Sequence, residues 1–346
     1  MVVQDNEIDA VITWVDGNDP GLRKKRIKVE GELTNVRNEL LTGRDQTRFI
    51  DNGELEYCIY SIRKFAPWIR KIFIVTDNQR PEYVTQDLME TFNVEIIDHT
   101  EIFRSYEWAL PTFNTRSIES MLWRIEGLTE KFIYFNDDFI LTHPVEKEDF
   151  FLNDLVVLRG RWNLIRSFGP IRMKINAVIN SVARQVLGIT RSMHLLQQIK
   201  SAKLAGFEQK YFRSPHVPHP IRRTTLSSFF EEHPDILSAN IQYKFRSTDQ
   251  FSAIFLANHL EIANQSAALR DAHELVMING ELNFGISFRL KMNRIMKKKA
   301  KFLCLQAAEN LSDNQQELLY QTLRNYLNMP DRITMSNTHL NQSEEN

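Results

Sequence analysis

Short apolar runs alternate with helical stripes along residues 8–138, and this alternation limits the folds that the chain can adopt. Runs of strand length cover residues 8–15, 71–77, 94–99 and 131–136. Strands that alternate with helices build a mostly parallel sheet with helices on both faces. The sequence therefore predicts an α/β, Rossmann-like fold with a mostly parallel central sheet flanked by helices. The apolar stripes that predict the helices are Leu55, Ile59, Ile62 and Phe65, then Ile118, Met121, Leu122 and Ile125.

Polar residues follow three of the predicted strands. In sheets of this kind, ligands bind beyond the carboxyl ends of the strands. Carboxylate oxygens suit Mg²⁺ or Mn²⁺, so paired aspartates there indicate a cation held against a phosphate. Asp and Asn are equally ordinary in turns and helix caps, which leaves both interpretations open for these residues alone. They are Asp16 and Gly17 after the first strand, Asp77 after the second, and Asn136, Asp137 and Asp138 after the fourth.

Composition excludes several classes of protein. With 346 residues, 42% of them hydrophobic and 25% charged, the chain can bury a sizeable core and is not a disordered protein. Its formal charge of -1 gives no reason to expect a nucleic-acid partner. The two cysteines, Cys58 and Cys304, fit a reducing compartment and are expected in the core. No apolar run approaches the roughly 20 residues of a membrane span, so we expect a soluble cytoplasmic protein.

Several blocks of sequence, taken in order, resemble a known family. The blocks lie at residues 9–17, 48–55, 66–76, 110–114, 117–119, 125–128, 132–138, 216–223 and 244–249. Together they span roughly residues 8–255, and in this ordered set the chain resembles the Stealth family. That family includes bacterial capsular polysaccharide phosphotransferases and the catalytic subunit of the animal N-acetylglucosamine-1-phosphotransferase. The segment at 160–214 resembles none of its blocks.

The resemblance implies an activity. Such enzymes transfer a hexose 1-phosphate from a UDP-hexose or UDP-N-acetylhexosamine to a hydroxyl of a glycan or glycolipid, and release UMP. Attack at a diphosphate builds negative charge, which a divalent cation and arginines can stabilise. The resemblance therefore implies Mg²⁺ or Mn²⁺ as cofactor. Two alternatives remain open: a metal-dependent glycosyltransferase that releases UDP, and a non-catalytic glycan-binding component of an assembly complex.

The resemblance also implies roles for single residues. Asp137 and Asp138 would bind the metal and the pyrophosphate, with Asn136 orienting them. Arg246 would bind phosphate through its planar guanidinium, and Asp249 would orient a partner or join the metal site.

His219 would act as general base, because an imidazole near neutral pKa can take the proton of the acceptor hydroxyl. Its proline-rich surroundings at 216–220 do not fit a helical zinc motif, and a structural role in a turn is the alternative. Arg223 would clamp phosphate or be structural. The remaining residues assigned to the nucleotide and its pocket are Asp16, Gly17, Asp51, Asp77 and Asn114.

The chain divides into four parts by pattern. We predict a nucleotide-sugar-binding α/β part at 1–159, a helical insertion or lid at 160–214, and a flexible tail at 331–346. Residues 215–330 would complete the catalytic domain and end in a basic helical part. The seven basic residues at 289–301 predict either a solvated helix face or peripheral contact with an anionic membrane, which would place the protein at the inner face of the cytoplasmic membrane.

Overall fold

A five-stranded sheet forms the centre of the molecule. The computed structural model describes residues 6–32, 53–165, 192–282 and 285–330, so Asp51 and the predicted tail lie outside the described residues. The strands are β1 (Ile8–Thr13), β2 (Ile72–Thr76), β3 (Val94–Asp98), β4 (Lys131–Asn136) and β10 (His219–Arg222), and their order in the sheet is β10-β4-β1-β2-β3. All are mutually parallel except β10, which runs antiparallel to β4. The α/β fold with a parallel central sheet is therefore confirmed.

The register brings the predicted polar residues to one edge of the sheet. Thr13 pairs with Asn136, and Thr76 pairs with Asp98, so the four parallel strands end together. Strands β1 and β2 are buried throughout, as expected for strands covered on both faces.

Asp9 fixes the opposite, amino edge of this sheet. Its side chain is fully buried and accepts two hydrogen bonds from the Arg70 guanidinium, at 2.8 and 2.6 Å. It also accepts from the backbone N–H groups of Lys71 and Thr129. Three strand starts are thus tied to one carboxylate, which sets their relative register.

Helices cover both faces of the sheet. They are α1 (Pro20–Glu32), α2 (Glu54–Phe65), α3 (Gln86–Thr91), α4 (His99–Ile102), α5 (Thr115–Glu119), α6 (Ser192–Leu204), α7 (Arg223–Glu232), α8 (Pro234–Ile241), α9 (Ala253–Ala263), α10 (Gly285–Met296) and α11 (Asp313–Leu327). Helix α5 is shorter than the apolar stripe Ile118, Met121, Leu122 and Ile125 predicts. It ends at Glu119, where the Ser120 hydroxyl donates to the Arg116 carbonyl, and a separate 3₁₀ turn follows at Leu122–Arg124.

Smaller sheets extend the molecule beyond β4. Strand β13 (Phe302–Gln306) lies between β12 (Leu275–Asn279) and β5 (Phe139–Leu141), and β7 (Leu155–Arg159) lies between β11 (Ala267–Arg270) and β6 (Phe151–Leu152). Because β5 directly follows Asp138, pairing of β13 with β5 brings the C-terminal part of the chain against the end of β4.

The segment at 160–214 is only partly helical where it is described. Residues 192–204 form α6, whereas Arg161–Leu164 (β8) and Lys210–Arg213 (β9) pair as antiparallel strands. The strands were not predicted, because their short runs are rich in charged residues. Residues 166–191 lie outside the described part, and the division of the chain into four parts stays a prediction.

Two further expectations concern burial. Cys58 and Cys304 are both buried and unbridged, which confirms their place in the core. Within the described ranges, none of the helices has the length and apolar character needed to cross a membrane.

Candidate active site

A large cavity opens at the carboxyl edge of the central sheet. Its volume is about 1360 Å³, and Thr13 of β1, Val75 of β2 and Asn136 of β4 line it. Gln306 at the end of β13 lines it as well. This is the place where parallel α/β sheets bind ligands, because the strand ends and following loops leave a crevice there.

Asp137 and Asp138 both line this cavity. Asp137 Oδ1 accepts a hydrogen bond from the Asp138 N–H at 3.1 Å, and Asp138 Oδ2 accepts one from the Cys304 thiol at 3.6 Å. No described residue donates to the buried Oδ1 of Asp138. Burial, and then the negative charge of Glu54, raise the pKa of Asp138 to about 7. Among the described residues no positively charged side chain acts to lower this pKa, and a bound cation would supply the compensating charge.

Asn136 joins a hydrogen-bond network between β1 and β4. The Tyr134 hydroxyl donates to Asn136 Oδ1 at 2.6 Å and lies 3.0 Å from the Thr13 hydroxyl. The same hydroxyl lies 3.4 Å from Glu119 Oε1. Asn136 is therefore held in a fixed orientation beside the two aspartates, through contacts with the protein.

Glu119 is a second cavity carboxyl group with a raised pKa. It stands at the end of α5, and its Oε2 accepts a hydrogen bond from the Ser252 hydroxyl at 2.7 Å. Burial raises the pKa of Glu119 to about 7, against the lowering effect of Ser252, the Arg116 charge and the Tyr134 hydroxyl. A carboxyl group that titrates near neutral pH in a cleft is suited to proton transfer.

Histidine rings form part of the cavity wall around Phe255. His194 and His216 stack with ring centroids 4.2 Å apart, and His219 meets Phe255 edge-on at 5.5 Å. His219 reaches this edge because β10 is antiparallel to β4, so that its first residue pairs with Tyr134. Burial, with repulsion from His216, lowers the pKa of His219 to about 3. The ring is neutral at neutral pH and is a weak base.

Four of the described arginines line the same cavity, Arg116, Arg161, Arg213 and Arg246, and two of them are held by hydrogen bonds close to α5. Arg116 is almost fully buried and donates to the Ser247 carbonyl at 2.6 Å, while Arg246 donates to the Thr115 hydroxyl at 3.2 Å. Guanidinium groups held in this way are suited to phosphate.

Asn114 lines the cavity and also holds the structure of the site together, and its role toward a nucleotide stays a prediction. Its amide nitrogen donates to the carbonyls of Tyr243 and Phe245 and to Gln250 Oε1, at 3.1, 2.9 and 2.8 Å. Its oxygen caps α5 by accepting from the Arg116 N–H. The side chain is fully buried with its hydrogen-bonding capacity in use, so it positions the segment that carries Arg246.

Of the polar residues that follow β1 and β2, one lines the cavity and two shape a loop. Asp77 lines the cavity, and one of its oxygens pairs with Lys25 at 2.8 Å. Asp16 and Gly17 do not line it. Asp16 Oδ1 accepts from the Asn18 N–H at 2.8 Å, and Gly17 lies in the same turn, so the pair shapes the loop after β1.

Arg223 and Asp249 lie away from this group. Arg223 begins α7 at the amino edge of the sheet, where its N–H bonds the Glu130 carbonyl, because antiparallel β10 carries the chain from one edge to the other. The exposed Asp249 lines a separate hollow and lies 3.8 Å from Lys200. Neither lines the large cavity, and the roles assigned to them from the sequence stay predictions.

Sequence reasoning missed the site residues Glu119 and Arg116. Both belong to α5, whose apolar stripe predicted a helix without indicating which polar residues face a ligand. The block at 117–119 contained the only signal for Glu119.

Two segments of the chain match family models. Residues 6–34 match Stealth protein CR1, conserved region 1, and residues 48–157 match Stealth protein CR2, conserved region 2. The second match contains α5, β4 and the paired aspartates. The chain therefore belongs to the Stealth proteins, and the resemblance noted in the sequence is confirmed.

Individual relatives are named as polysaccharide phosphotransferases. The exopolysaccharide phosphotransferase SCO6021 of Streptomyces coelicolor is 34% identical over 246 residues, which cover 71% of this chain and 41% of that protein. The capsular polysaccharide phosphotransferase WcwK of Streptococcus pneumoniae is 27% identical over 351 residues, covering 95% and 99%. The receptor polysaccharide phosphotransferase WefC of Streptococcus oralis is 28% identical over 332 residues, covering 90% and 93%.

Coverage differs among these relatives. The chain spans less than half of the Streptomyces protein and nearly all of the two streptococcal proteins. A solved structure titled WbbM bifunctional glycosyltransferase, in its apo form, has a TM-score of 0.36 at 12% identity and covers 92% of this chain and 52% of that chain. That similarity is too low to add to the description of the fold.

Proposed function

We propose that the protein transfers a hexose 1-phosphate, in particular N-acetylhexosamine 1-phosphate, from a UDP-sugar to a hydroxyl of a surface glycan. The observation that carries this proposal is the meeting of two strand-end carboxylates with two held arginines in one cavity. The relatives named for capsular and exopolysaccharide phosphotransfer support a glycan acceptor.

A divalent cation fits the carboxylate side of this cavity. Asp137 and Asp138 would hold it, since Asp138 keeps a buried oxygen that no described residue satisfies. Among the described residues no cluster of three or more His, Cys, Asp or Glu side chains could hold a metal alone. Two carboxylates still suffice for Mg²⁺, which takes its other ligands from phosphates and water. When bound, such an ion supplies charge stabilisation at the transferred phosphate.

The side chains of the protein account for the remaining chemistry. The acceptor oxygen forms a bond to the sugar-linked phosphorus, and the bond from that phosphorus to the bridging oxygen breaks, so UMP leaves. Arg246 and Arg116 stabilise the charge that builds on the phosphate oxygens. The sugar keeps its anomeric bond.

Glu119 takes the proton of the acceptor hydroxyl in this proposal. Its pKa of about 7 matches the operating pH of a general base better than the pKa of about 3 that burial imposes on His219. His219 remains the second candidate for that role.

Product analysis tests the proposed function. The purified chain is incubated with Mg²⁺, a panel of UDP-hexoses and capsule oligosaccharides, and UMP is separated from UDP by chromatography. Acceptor-dependent UMP, with phosphorus retained in the glycan by ³¹P NMR, is the expected result. Release of UDP instead would establish a glycosyltransferase, and tight glycan binding without donor consumption would indicate an assembly component.

We also propose that α10 makes peripheral contact with an anionic membrane, at the cytoplasmic face where a UDP-sugar donor is available. Its anchoring residues Phe288, Met292 and Ile295 are buried, whereas Ile286 and Leu290 are 80% and 62% exposed. Exposed basic residues accompany these two side chains, a combination that favours anionic lipid. They are Arg289, Arg294, Lys297, Lys298 and Lys299.

Vesicle sedimentation tests the membrane contact. The protein is expected to bind vesicles that contain phosphatidylglycerol more strongly than vesicles of phosphatidylcholine alone. The double variant Ile286→Ser with Leu290→Ser should lose this preference, whereas Leu318→Ser, at an exposed leucine of α11, should keep it. Equal binding of the unaltered protein to both vesicle types would refute the contact.

A further inference from the structure

Two arginines that the proposed reaction does not use lie directly opposite each other on the cavity wall. Arg161 of β8 pairs with Arg213 of β9 in the antiparallel register, and both line the cavity. Side chains that are directly opposite in an antiparallel pair share one face, with their Cβ atoms about 4.5–5.5 Å apart. The chain is closely packed here, since a Cβ at Gly160 would lie 2.4 Å from the Arg213 carbonyl oxygen. The two guanidinium groups are therefore carried by neighbouring positions on the face toward the cavity.

Aromatic packing on the other face of this strand pair fixes that orientation. Trp162 and Phe212 are the next residues in the register, and their ring centroids lie 5.7 Å apart. Lys210 Nζ lies 4.2 Å from the centre of the Trp162 ring. Because successive residues of a strand point to opposite faces, the packed rings keep the two arginines on the cavity side.

Neither guanidinium group has a partner among the described residues. No described carboxylate forms an ion pair with Arg161 or Arg213, although Asp271 also lines the cavity, and no described group accepts a hydrogen bond from either guanidinium. Arg159, two positions before Arg161, instead pairs with Asp149 at 3.5 Å. Like charges directly opposite each other on two strands oppose folding. Two such arginines, open to a cavity and without a described counter-charge, indicate a site for an anion.

Histidine rings separate this arginine pair from the end of β4. Burial, and then the charge of Arg213, lower the pKa of His216 to about 4. The pKa of His219 is lowered by burial and then by His216, and His219 pairs with Tyr134 in β4. The order along the cavity wall is therefore Arg213, His216, His219 and then the strand end that carries the paired aspartates.

We propose that Arg161 and Arg213 bind an anionic group of the acceptor, so that the enzyme acts on an acidic glycan. A carboxylate or a phosphate can accept two parallel hydrogen bonds from one planar guanidinium group. The transferred phosphate is a different anion, because Arg116 and Arg246 are assigned to it. The inference rests on the proposed function, since the acceptor is the ligand that shares the cavity with the donor.

Calorimetric titration of the full chain with three disaccharides of one skeleton tests this subsite. Cellobiose is the neutral probe. Cellobiouronic acid has a carboxylate in place of one primary alcohol, and the third probe is cellobiose with a phosphate monoester at that position. We expect one acidic probe or both to bind at least about tenfold more tightly than cellobiose. A preference for cellobiouronic acid identifies the anion of the acceptor as a carboxylate, and a preference for the phosphate ester identifies it as a phosphate.

Variants of the two arginines should separate the acidic probe from the donor. Arg161→Gln and Arg213→Gln should each raise the Kd for the preferred acidic probe about tenfold, and leave the Kd for cellobiose and for UDP with Mg²⁺ unchanged. Arg213→Lys keeps the charge and loses the planar fork, so its Kd should fall between the two. Removing one of two like charges relieves repulsion, so thermal melts should show both Gln variants to be at least as stable as the unaltered protein.

A matched control is available in Lys210, on the other face of the same strand pair. Lys210 is exposed and does not line the cavity. Lys210→Gln removes the same charge and should leave all the affinities unchanged. Equal weakening of the acidic probe by Lys210→Gln would show that the net charge of the protein attracts it, and would overturn the subsite.

Failure of the subsite and failure of the proposed function give different results. If neither acidic probe binds more tightly than cellobiose, or the Gln variants bind it as tightly as the unaltered protein, the subsite is refuted while UMP release can still be observed. Weaker binding of UDP in the Gln variants would assign the pair to the donor phosphates and also refute it. If binding of the acidic probe depends on both arginines but turnover yields UDP, the subsite stands and the proposed transfer reaction is wrong.

Discussion

At the scale of single residues, Asp138 and Glu119 are two cavity carboxyl groups whose pKa values both rise to about 7. Burial is the largest cause for each, so ionising either one opposes folding. Residues that act against stability while lining a cleft are typical of functional sites. Their roles nevertheless differ, because Asp138 follows β4 beside a second aspartate and Glu119 is held by Ser252.

The double variant Asp137→Asn with Asp138→Asn should lose turnover by at least about a hundredfold. The amides keep the size of the side chains and remove both charges that would hold a cation. Circular dichroism and UMP release measure fold and activity separately. Asp154→Asn, at an exposed aspartate outside the cavity, serves as the control. Normal activity in the double variant would contradict the proposal that Asp137 and Asp138 hold a cation.

Glu119→Gln should change stability in a pH-dependent way. Between its ordinary pKa of 4.5 and its folded pKa of about 7, the folded state keeps a proton that the unfolded state releases. Stability therefore falls as pH rises through this window and stays lower above it. The difference in free energy of unfolding between the variant and the unaltered protein should therefore shift in favour of the variant by roughly 1–3 kcal/mol from pH 4 to pH 8.

Urea denaturation at the two pH values measures this difference. Glu126→Gln, at a surface glutamate whose side chain is 85% exposed, should show no such dependence. A Glu119→Gln effect of the same size at both pH values would mean that folding does not raise the pKa of this carboxyl group.

The pH–rate profile separates the two candidate bases. If Glu119 takes the proton, activity rises as pH increases through about 7, because the ionised form is required. Ser252→Ala should move this limb to higher pH, since the Ser252 hydrogen bond stabilises the ionised carboxylate. A profile without this limb, together with activity lost in His219→Ala and retained in Glu119→Gln, would assign the base to His219.

At the scale of elements, α5 and the segment at 243–250 form one unit. Asn114 caps α5, its amide nitrogen lies within hydrogen-bond distance of three acceptors in the segment, and Arg116 donates to the Ser247 carbonyl. The loop that carries Arg246 is therefore held in place by hydrogen bonds from buried side chains of the protein. Loops that present charged residues to a ligand need such support to hold their geometry.

Asn114→Ala should lower the free energy of unfolding by about 2–3 kcal/mol, because buried acceptors lose their donor. It should also raise KM for the donor by releasing Arg246 from its position. Thermal denaturation and initial rates measure both effects, with Asn325→Ala on the exposed side of α11 as control. Unchanged KM with lowered stability would show that Arg246 does not depend on this support.

At the scale of the whole molecule, the first and last described parts share a hydrophobic core. One cluster runs from Ile8 to Met329 and includes Leu319, Leu323 and Leu327 of α11. Tyr57 belongs to this cluster and contacts Tyr320, which packs against it, with ring centroids 5.4 Å apart. Helix α11 thus completes the cover over α2.

Leu323→Ala should destabilise the whole molecule by about 2–5 kcal/mol through the cavity it leaves. Because the core is shared, the loss should appear in a single unfolding transition. Near-ultraviolet circular dichroism and the loss of nucleotide binding, followed together in urea, should report the same midpoint. Two separate midpoints would show that the C-terminal part unfolds independently of the sheet.

Prediction from the sequence succeeded where local pattern determines structure. The apolar runs located β1 to β4, and the parallel arrangement then placed Asp77, Asp137 and Asp138 at one edge. It did not reveal that the Asn114 side chain ties α5 to the segment at 243–250, because hydrogen bonds to residues more than a hundred positions away leave no local pattern. Glu119 was not predicted for a similar reason. The apolar stripe of a helix shows which face is buried, but it does not show what the polar residues of that helix contact.

The sequence by itself determined a parallel α/β core with acidic residues at the carboxyl ends of its strands, because strand and helix periods are local properties. Only the tertiary structure decided the direction of β10, which brings His219 to the cavity and takes Arg223 to the opposite edge. The return of β13 and α11 against β5 and α2 was decided in the same way. Strand direction and distant packing depend on the total burial of the folded chain, which no short segment encodes.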